Sequence, residues 1–180
     1  TVLQLCLKWR LDPERTYVTI SRAAANVNGT TADLVEGDIL TVNQLFYGLM
    51  LPSGNDSGFA LAEYFGELLK EKKSTNGGGL FDNSSGSPYS THPTVKYFLK
   101  EMNNNADKLN MMDSFYDSPH GLKNVRNFSS AYDVCLLVTE CMKIKKFWDV
   151  VSGEIIAEYT VHSGENQISY ILDNSMIAYI

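Results

Sequence analysis

The chain has 180 residues, of which 44% are hydrophobic and 11% aromatic; this excludes an intrinsically disordered protein and fits a single globular domain. Its formal net charge of -6 argues against nucleic acid as a partner, because phosphate binding needs clustered Lys and Arg. No apolar run approaches the roughly 20 residues that span a bilayer, so no membrane segment is predicted in this chain.

The first forty residues predict a helix, a strand and a loop. Residues 1–10 are apolar and helix-compatible, and Asp12-Pro13 ends this helix because proline has no amide hydrogen to donate. Residues 17–20 are β-branched and aromatic, which favours a strand. The polar, glycine-containing segment 29–38 is predicted to be a loop.

Two helices follow, separated by a short break. Thr41 and Gln44 predict a capping box at the start of the first helix, in which each side chain satisfies a backbone amide of the other residue. The Pro-Ser-Gly-Asn segment at 52–55 interrupts the helical pattern, and Asp56 or Ser57 can cap the second helix.

The middle of the chain contains a polar segment and then a strongly amphipathic one. Residues 70–93 are poor in apolar side chains and rich in Gly, Ser and Asn, which predicts a flexible insertion loop within a single domain covering 1–180. Residues 95–109 place apolar side chains at the i, i+3, i+4 and i+7 positions, so this segment is predicted to be a helix. A turn is predicted at 117–121.

The last fifty residues predict a helix and a β-hairpin. Ser130 and Asp133 cap a helix that should continue to about residue 145, so that the basic cluster at its end complements the helix dipole. That cluster consists of Lys143, Lys145 and Lys146. The residues expected to face inward are Val134, Leu137, Val138 and Cys141. Two strand-like runs, 155–161 and 167–172, flank a turn at 163–166 and predict a hairpin.

The three cysteines carry little functional information. Cys6, Cys135 and Cys141 have no paired short spacings, so they predict neither a disulfide framework nor a metal site. Cys135 and Cys141 lie in an apolar helical stretch and are interpreted as small core residues. His92, His120 and His162 share no metal-ligand spacing either, and no cofactor is predicted.

Ser53 and Asn55, on the break between two helices, are the candidate catalytic residues. A serine hydroxyl both donates and accepts hydrogen bonds, so it can relay a proton. The amide of Asn55 offers a donor and an acceptor to the peptide group of a substrate. By spacing alone, however, Ser-Gly-Asn between two helices is more often a plain turn than a site.

The wider pattern resembles the penicillin-binding serine D-Ala-D-Ala carboxypeptidases. Residues 45–62 (LFYGLMLPSGNDSGFALA) resemble the second active-site motif of that family, a helix that leads into Ser-Gly-Asn-Asp and an alanine-rich helix. Residues 18–41 look like the strand and loop that precede this motif. Residues 102–122, which end in Pro-His-Gly-Leu, and residues 128–133 look like later stretches of the family in the expected order.

The resemblance implies a fold and a chemistry. The fold is α+β, a partial β-lactamase/transpeptidase-like fold with mainly its helical subdomain and short antiparallel strands. The chemistry is acyl transfer through a serine of a Ser-x-x-Lys motif, with Ser-x-Asn as proton relay and Lys-Thr-Gly as the site for the substrate carboxylate. The resemblance implies proton relay for Ser53, substrate contact for Asn55, and a position at the rim of the substrate site for His120 and Gly121. The implied partners are peptides that end in D-Ala-D-Ala, and β-lactams.

Two of the three family motifs are missing from these 180 residues. The chain contains no Ser-x-x-Lys and no Lys-Thr-Gly. In the family the former lies at the start of the helix whose continuation resembles residues 1–9, so that its lysine would fall just before Thr1, and we expect the latter just beyond residue 180. We therefore expect an internal part of a longer protein, inactive as it stands, marginally stable and prone to aggregate. Its relatives suggest an extracytoplasmic or secreted location if the protein is like the bacterial members.

Three alternatives stay open at the level of sequence. The chain can be a degenerate, non-catalytic relative that binds muropeptides or a protein, or it can belong to a serine β-lactamase, which shares the three motifs. The Ser-Gly-Asn form and the Pro-His-Gly-Leu turn favour the carboxypeptidase. A third alternative is a Ser-His-Asp triad made of Ser53, His120 and Asp133.

Overall fold

The structure, a computed structural model, describes residues 1–74, 89, 92–122, 126–152, 157–163 and 166–172, the last two ranges by their backbone alone. The helices are α1 (Val2–Trp9), α2 (Arg22–Ala25), α3 (Val42–Met50), α4 (Asn55–Ser74), α5 (Val95–Lys108), α6 (Ala131–Cys141) and α7 (Lys145–Ser152). The strands are β1 (Tyr17–Thr19), β2 (Ile39–Thr41), β3 (Ala157–Ser163) and β4 (Asn166–Leu172). Helices predominate and the strands are short, which confirms the predicted α+β class.

The strands form one antiparallel sheet in the order β1-β2-β3-β4. β1 pairs with β2 along its whole length, from Tyr17 opposite Thr41 to Thr19 opposite Ile39. β3 and β4 form the predicted hairpin, which closes with Ser163 opposite Asn166. Because β2 also pairs with β3, at Ile39 opposite His162, the amino-terminal and carboxyl-terminal strands lie in the same sheet.

Helix α4 is the centre of the core. Its first residues are buried without interruption from Asn55 to Ala62, so the beginning of this helix is surrounded on all sides. The largest fully buried apolar side chains are Leu5, Ile20, Leu40, Leu45, Leu61, Val42, Val95, Val150 and Phe65. Close packing of this kind leaves little room for movement. The turn that precedes α4 therefore starts from a rigid support.

The predicted capping of α3 and α6 is confirmed. The Thr41 hydroxyl accepts from the backbone N–H of Gln44 (3.1 Å), and the Gln44 side chain accepts from the Thr41 N–H (2.8 Å). The Ser130 hydroxyl likewise accepts from the N–H of Asp133 (3.2 Å) at the start of α6. Helix α4, in contrast, begins at Asn55, ahead of the two residues that were expected to cap it.

Two helix boundaries differ from the prediction. Helix α4 continues to Ser74, so it includes the first five residues of the segment 70–93 that was predicted to be a loop. The predicted helix to residue 145 ends at Cys141, and α7 starts separately at Lys145. The basic cluster therefore lies at the start of a helix, where the helix dipole disfavours positive charge. Lys145 is instead paired with Asp149 (2.6 Å), one turn further along α7.

The predicted inward face of α6 is wrong in part. Val134 and Val138 are 44% and 45% exposed, and Cys135 is exposed as well, whereas Leu137 and Cys141 are half-buried. The buried residue of this helix is the polar Asp133, whose carboxylate accepts from the Asp113 N–H (2.8 Å) and the Ser114 hydroxyl (2.7 Å). The spacing of apolar residues predicted this helix correctly, but it did not predict which face of the helix is buried.

Candidate active site

Ser53 and Asn55 lie on the short connection between α3 and α4. Ser53 is exposed and has a positive φ of 57°, a left-handed conformation that non-glycine residues rarely adopt. Asn55 is the first residue of α4 and is only 5% exposed. The two side chains thus differ in environment: the hydroxyl-bearing residue faces solvent, and the amide-bearing residue is packed inside.

This connection, the motif turn (Ser53–Asn55), is bound along one side by the loop Asn28–Leu34. The backbone N–H of Asn55 donates to the carbonyl of Thr30 (2.9 Å), and its side-chain amide donates to the carbonyl of Asn28 (3.0 Å). The Thr30 hydroxyl donates to the carbonyl of Ser53. On the other side the N–H of Gly54 donates to the carbonyl of Gly48 in α3 (3.0 Å).

Two glycines make this close approach possible. A Cβ atom on Gly29, whose φ is +100°, would lie 2.4 Å from the side-chain nitrogen of Asn55. A Cβ atom on Gly54 would lie 2.6 Å from the carbonyl oxygen of Gly48, which is backbone and cannot rotate away. The glycine of the Ser-Gly-Asn motif is therefore required by contact between α3 and the turn, in addition to any conformational freedom it provides.

Asp56 is the functional candidate that the sequence did not single out. Its side chain is 1% exposed and accepts from the Thr31 hydroxyl (2.7 Å) and from the backbone N–H groups of Ala32 (3.0 Å) and Leu34 (3.1 Å). It also accepts from the N–H of Ser57 (2.8 Å). Its sequence neighbours suggested a helix cap, and no local pattern indicated that its partners lie more than twenty residues earlier.

The turn at 117–121 lies beside the first turn of α4. A Cβ atom on Gly58, in the first turn of α4, would lie 3.5 Å from the Cβ of His120. Leu122 approaches Gly29, the residue that contacts Asn55. The structure thus brings the Pro-His-Gly-Leu turn and the Ser-Gly-Asn motif together around the start of α4. Gly121 has a φ of +78°, which explains glycine at this position.

The ring of His120 is held by neighbours on both nitrogens. Its Nε2 lies 2.9 Å from the hydroxyl of Tyr89, and its Nδ1 accepts from the backbone N–H of Leu122 (3.3 Å). Burial lowers the pKa of His120 below its usual value near 6.5, which favours the neutral ring. Tyr89, from the segment predicted to be an insertion, also packs edge-on against Phe59 of α4 at 6.0 Å.

A Ser-His-Asp triad receives no support from this geometry. Asp133 is occupied by Asp113 and Ser114, and His120 contacts Tyr89 and Leu122.

Within the part of the chain that the structure describes, no group of three His, Cys, Asp or Glu residues could hold a metal ion. No helix in that part is long and apolar enough to cross a membrane.

A separate cavity of about 240 Å³ lies among the helices. Its lining is mostly apolar and is drawn from α1, α3, α4, α5, α6 and α7, with side chains such as Leu3, Phe46, Leu61, Met102 and Phe147. Among the described residues, its lining includes neither Ser53 nor Asn55. The candidate catalytic residues therefore lie outside this cavity, although Gly58 in the first turn of α4 and Pro119 of the 117–121 turn line it.

Comparison with known proteins gives one consistent family. Residues 92–179 match the family model of D-alanyl-D-alanine carboxypeptidase. The chain is 32% identical over 148 residues to a D-alanyl-D-alanine carboxypeptidase of Streptomyces sp. (strain K15), covering 80% of this chain and 44% of that protein. It is 34% identical over 134 residues to D-alanyl-D-alanine carboxypeptidase DacD of Escherichia coli (strain K12), covering 71% of this chain and 28% of that protein.

Solved structures agree with the curated relatives. The crystal structure of the Streptomyces K15 DD-transpeptidase superposes with a TM-score of 0.74 at 28% identity, covering 96% of this chain and 60% of that one. The 180 residues thus span less than half the length of the curated relatives and about three fifths of this solved chain. Over the part of their length that it spans, the chain matches the D-alanyl-D-alanine carboxypeptidases in sequence and in fold.

Proposed function

We propose that the protein to which these residues belong is a serine-type D-Ala-D-Ala carboxypeptidase that acts through an acyl-enzyme. The observation that carries the proposal is the motif turn. Its serine is exposed, its asparagine is packed at the start of a central helix, and the Pro-His-Gly-Leu turn lies beside the first turn of that helix. The match to these carboxypeptidases supports the same reaction class. The expected partners are peptides that end in D-Ala-D-Ala, and β-lactams.

Ser53 is proposed to transfer a proton during the reaction. The serine of a Ser-x-x-Lys segment attacks the carbonyl carbon of the penultimate D-Ala, an ester bond forms, and the bond to the terminal D-Ala breaks. The proton released from the nucleophile must reach the departing nitrogen, and an exposed hydroxyl that both donates and accepts can carry it. Water then hydrolyses the ester and restores the nucleophile.

Asn55 and His120 are proposed to have supporting roles. One N–H of the Asn55 amide is already used by the carbonyl of Asn28, so the amide is fixed in orientation while it contacts the peptide group of the substrate. His120 is proposed to shape the rim of the site. Its two ring nitrogens already have partners, and its lowered pKa keeps it neutral near pH 7.

The 180 residues alone are proposed to form no acyl-enzyme, because they contain neither Ser-x-x-Lys nor Lys-Thr-Gly. Labelling with a fluorescent penicillin tests this directly. We expect covalent labelling of the longer protein that contains this chain, and none of the 180 residues by themselves. Labelling of the 180-residue chain at a stoichiometric level would contradict the assignment of the nucleophile to a segment outside it.

Ser53→Ala in the longer protein should slow penicillin acylation by about a hundredfold, since general acid–base groups contribute factors of this size. Ser152→Ala is the matched control, because Ser152 is an exposed serine at the end of α7 and should not matter. An unchanged rate in Ser53→Ala removes the relay assignment.

Three outcomes distinguish the alternative functions of the longer protein. Release of D-Ala from a peptide identifies a carboxypeptidase, and rapid turnover of penicillin identifies a β-lactamase. Binding of the ligand without a covalent adduct identifies a non-catalytic module.

A further inference from the structure

The loop Asn28–Leu34 and the motif turn are joined by hydrogen bonds at several points along the loop. Three of these bonds run between Asn28 or Thr30 and the turn residues Ser53 and Asn55. Most of them use backbone groups of the loop, so they can form only while the loop backbone keeps its path. The conformation of the turn therefore depends on what holds the loop.

The side chain of Asp56 is the group that holds it. Its Oδ2 accepts from the Thr31 hydroxyl and the Leu34 N–H, and both of its oxygens lie 3.0 Å from the Ala32 nitrogen. These donors follow Thr30 directly in sequence, and Asp56 follows Asn55 directly. One carboxylate thus ties the loop to the same helix terminus that carries the motif. It is buried, so water does not compete for its oxygens, and hydrogen bonds to a buried charged group are the strong ones.

We propose that Asp56 is a positioning residue: through Thr31, Ala32 and Leu34 it fixes the loop that in turn fixes Ser53 and Asn55 for the reaction. This inference rests on the proposed function, because it assigns Asp56 to the acyl-transfer site. The path of influence is short. The Thr30 hydroxyl donates to the carbonyl of Ser53, the residue in the left-handed conformation, and the Thr30 carbonyl accepts from the N–H of Asn55. A catalytic hydroxyl displaced by even a small distance loses rate, since orientation is a large part of catalysis.

The structural half of the proposal is tested on the 180-residue chain by amide hydrogen exchange. In Asp56→Asn one acceptor oxygen becomes an NH₂ group, which faces N–H and O–H donors in either orientation of the amide. We expect the amides of Ala32, Leu34 and Asn55 to exchange at least about tenfold faster, with unchanged protection in α5. Asp33→Asn is the matched control, because Asp33 is exposed and its φ of 58° suits asparagine. Equal exchange in the two variants overturns the proposal.

A milder pair of variants covers the case in which Asp56→Asn does not fold. Thr31 is exposed, and its hydroxyl donates to Asp56. Thr31→Val keeps the shape and removes the hydroxyl, whereas Thr31→Ser keeps the hydroxyl. We expect faster exchange at Ala32 and Leu34 in Thr31→Val alone. The same exchange in both variants contradicts the role of the Asp56 bond.

The functional half is tested by penicillin acylation of the longer protein. Thr31→Val should lower the acylation rate constant at saturating penicillin about tenfold or more, the effect of one hydrogen bond to a charged group. Thr31→Ser should keep the wild-type rate constant, and the two variants should unfold at similar temperatures. If the acylation rate constant falls equally in both variants, the cause is general destabilisation of the fold, and the positioning role is overturned.

The two levels of failure can be told apart. If the wild-type longer protein forms no penicillin adduct while the exchange results hold, the proposed function is wrong, and Asp56 holds a loop with no catalytic turn to position. If the adduct forms, and Thr31→Val and Thr31→Ser acylate equally fast, the function stands and the positioning role of Asp56 is wrong.

Discussion

Cysteine chemistry in this chain is decided by the surroundings of each thiol. Cys6 is buried in α1, and burial raises its pKa to about 11. Cys135 was expected in the core and is exposed on α6, whereas Cys141 is half-buried with a pKa that burial also raises. Because the thiolate is the reactive form, the three residues should differ sharply in reactivity.

We predict that Cys135 is alkylated first by iodoacetamide in the native chain and that Cys6 is the most protected. At about pH 8 a thiol with a pKa of 11 is only about one thousandth ionised, and its burial further limits access of the reagent. Mass spectrometry of digested samples, taken over time, gives the rate at each site.

Two controls separate the native surroundings from the reagent. Cys135→Ser should abolish the fast phase, and all three cysteines should react at similar rates in denaturant. Fast labelling of Cys6 under native conditions would show that α1 does not pack as described.

At the scale of single elements, the sequence predicted contacts between residues that are close in sequence, but not contacts between residues that are far apart in sequence. The capping box at Thr41 and the N-cap at Ser130 were predictable because their partners lie three residues away. The orientation of α6 was not, because it depends on Asp133 binding residues 113 and 114, twenty residues earlier. The helical end of α4 was missed because residues 70–74 are polar and lack the apolar spacing that identifies a helix.

The candidate site divides in the same way. The resemblance of residues 45–62 and 118–122 to a family motif singled out Ser53, Asn55 and His120, whereas the local spacing of Ser-Gly-Asn alone favoured a plain turn. Asp56 escaped because its partners, from Thr31 to Leu34, are reached only after the chain has passed through β2 and α3. A buried aspartate next to a motif is a signal for such a contact, but its partners cannot be identified from spacing.

Helix α4 contains two internal glycines whose surroundings predict opposite effects of alanine. A Cβ atom on Gly66 would lie 2.4 Å from the carbonyl oxygen of Thr94, just before α5. A Cβ atom on Gly58 would meet the Cδ1 of Leu49 at 3.3 Å, the flexible end of a side chain. Alanine gains about 1 kcal/mol of helix propensity at either position, so the neighbours decide the outcome.

We predict that Gly66→Ala lowers the free energy of unfolding by about 1–2 kcal/mol, because overpacking against backbone exceeds the gain in propensity. Gly58→Ala should leave it unchanged or raise it by less than about 1 kcal/mol, since Leu49 can move. The midpoints of urea unfolding measure both. Equal destabilisation by the two variants would contradict the packing of α4 against the residues before α5.

At the scale of the whole molecule, apolar side chains remain on the surface of the carboxyl-terminal helices. Val134 and Val138 lie one turn apart on α6, so they share a face, and both are nearly half exposed. Other large apolar side chains exposed in this region are Phe128, Tyr132, Trp148 and Val151. Monomeric proteins rarely leave extended apolar patches in water, because burial of apolar surface is favourable by about 25 cal/mol for each square ångström.

We predict that the 180-residue chain associates with itself through this face of α6. Replacing both valines, in Val134→Lys/Val138→Lys, should lower the average mass in light scattering at high concentration and reduce binding of an apolar dye. Thr139→Lys/Ser152→Lys adds the same charge at exposed polar positions and controls for repulsion between molecules. If both double variants reduce association equally, net charge explains the effect; if neither does, the contacts between molecules lie elsewhere. Loss of association in the valine variant alone shows that the exposed stripe of α6 drives it.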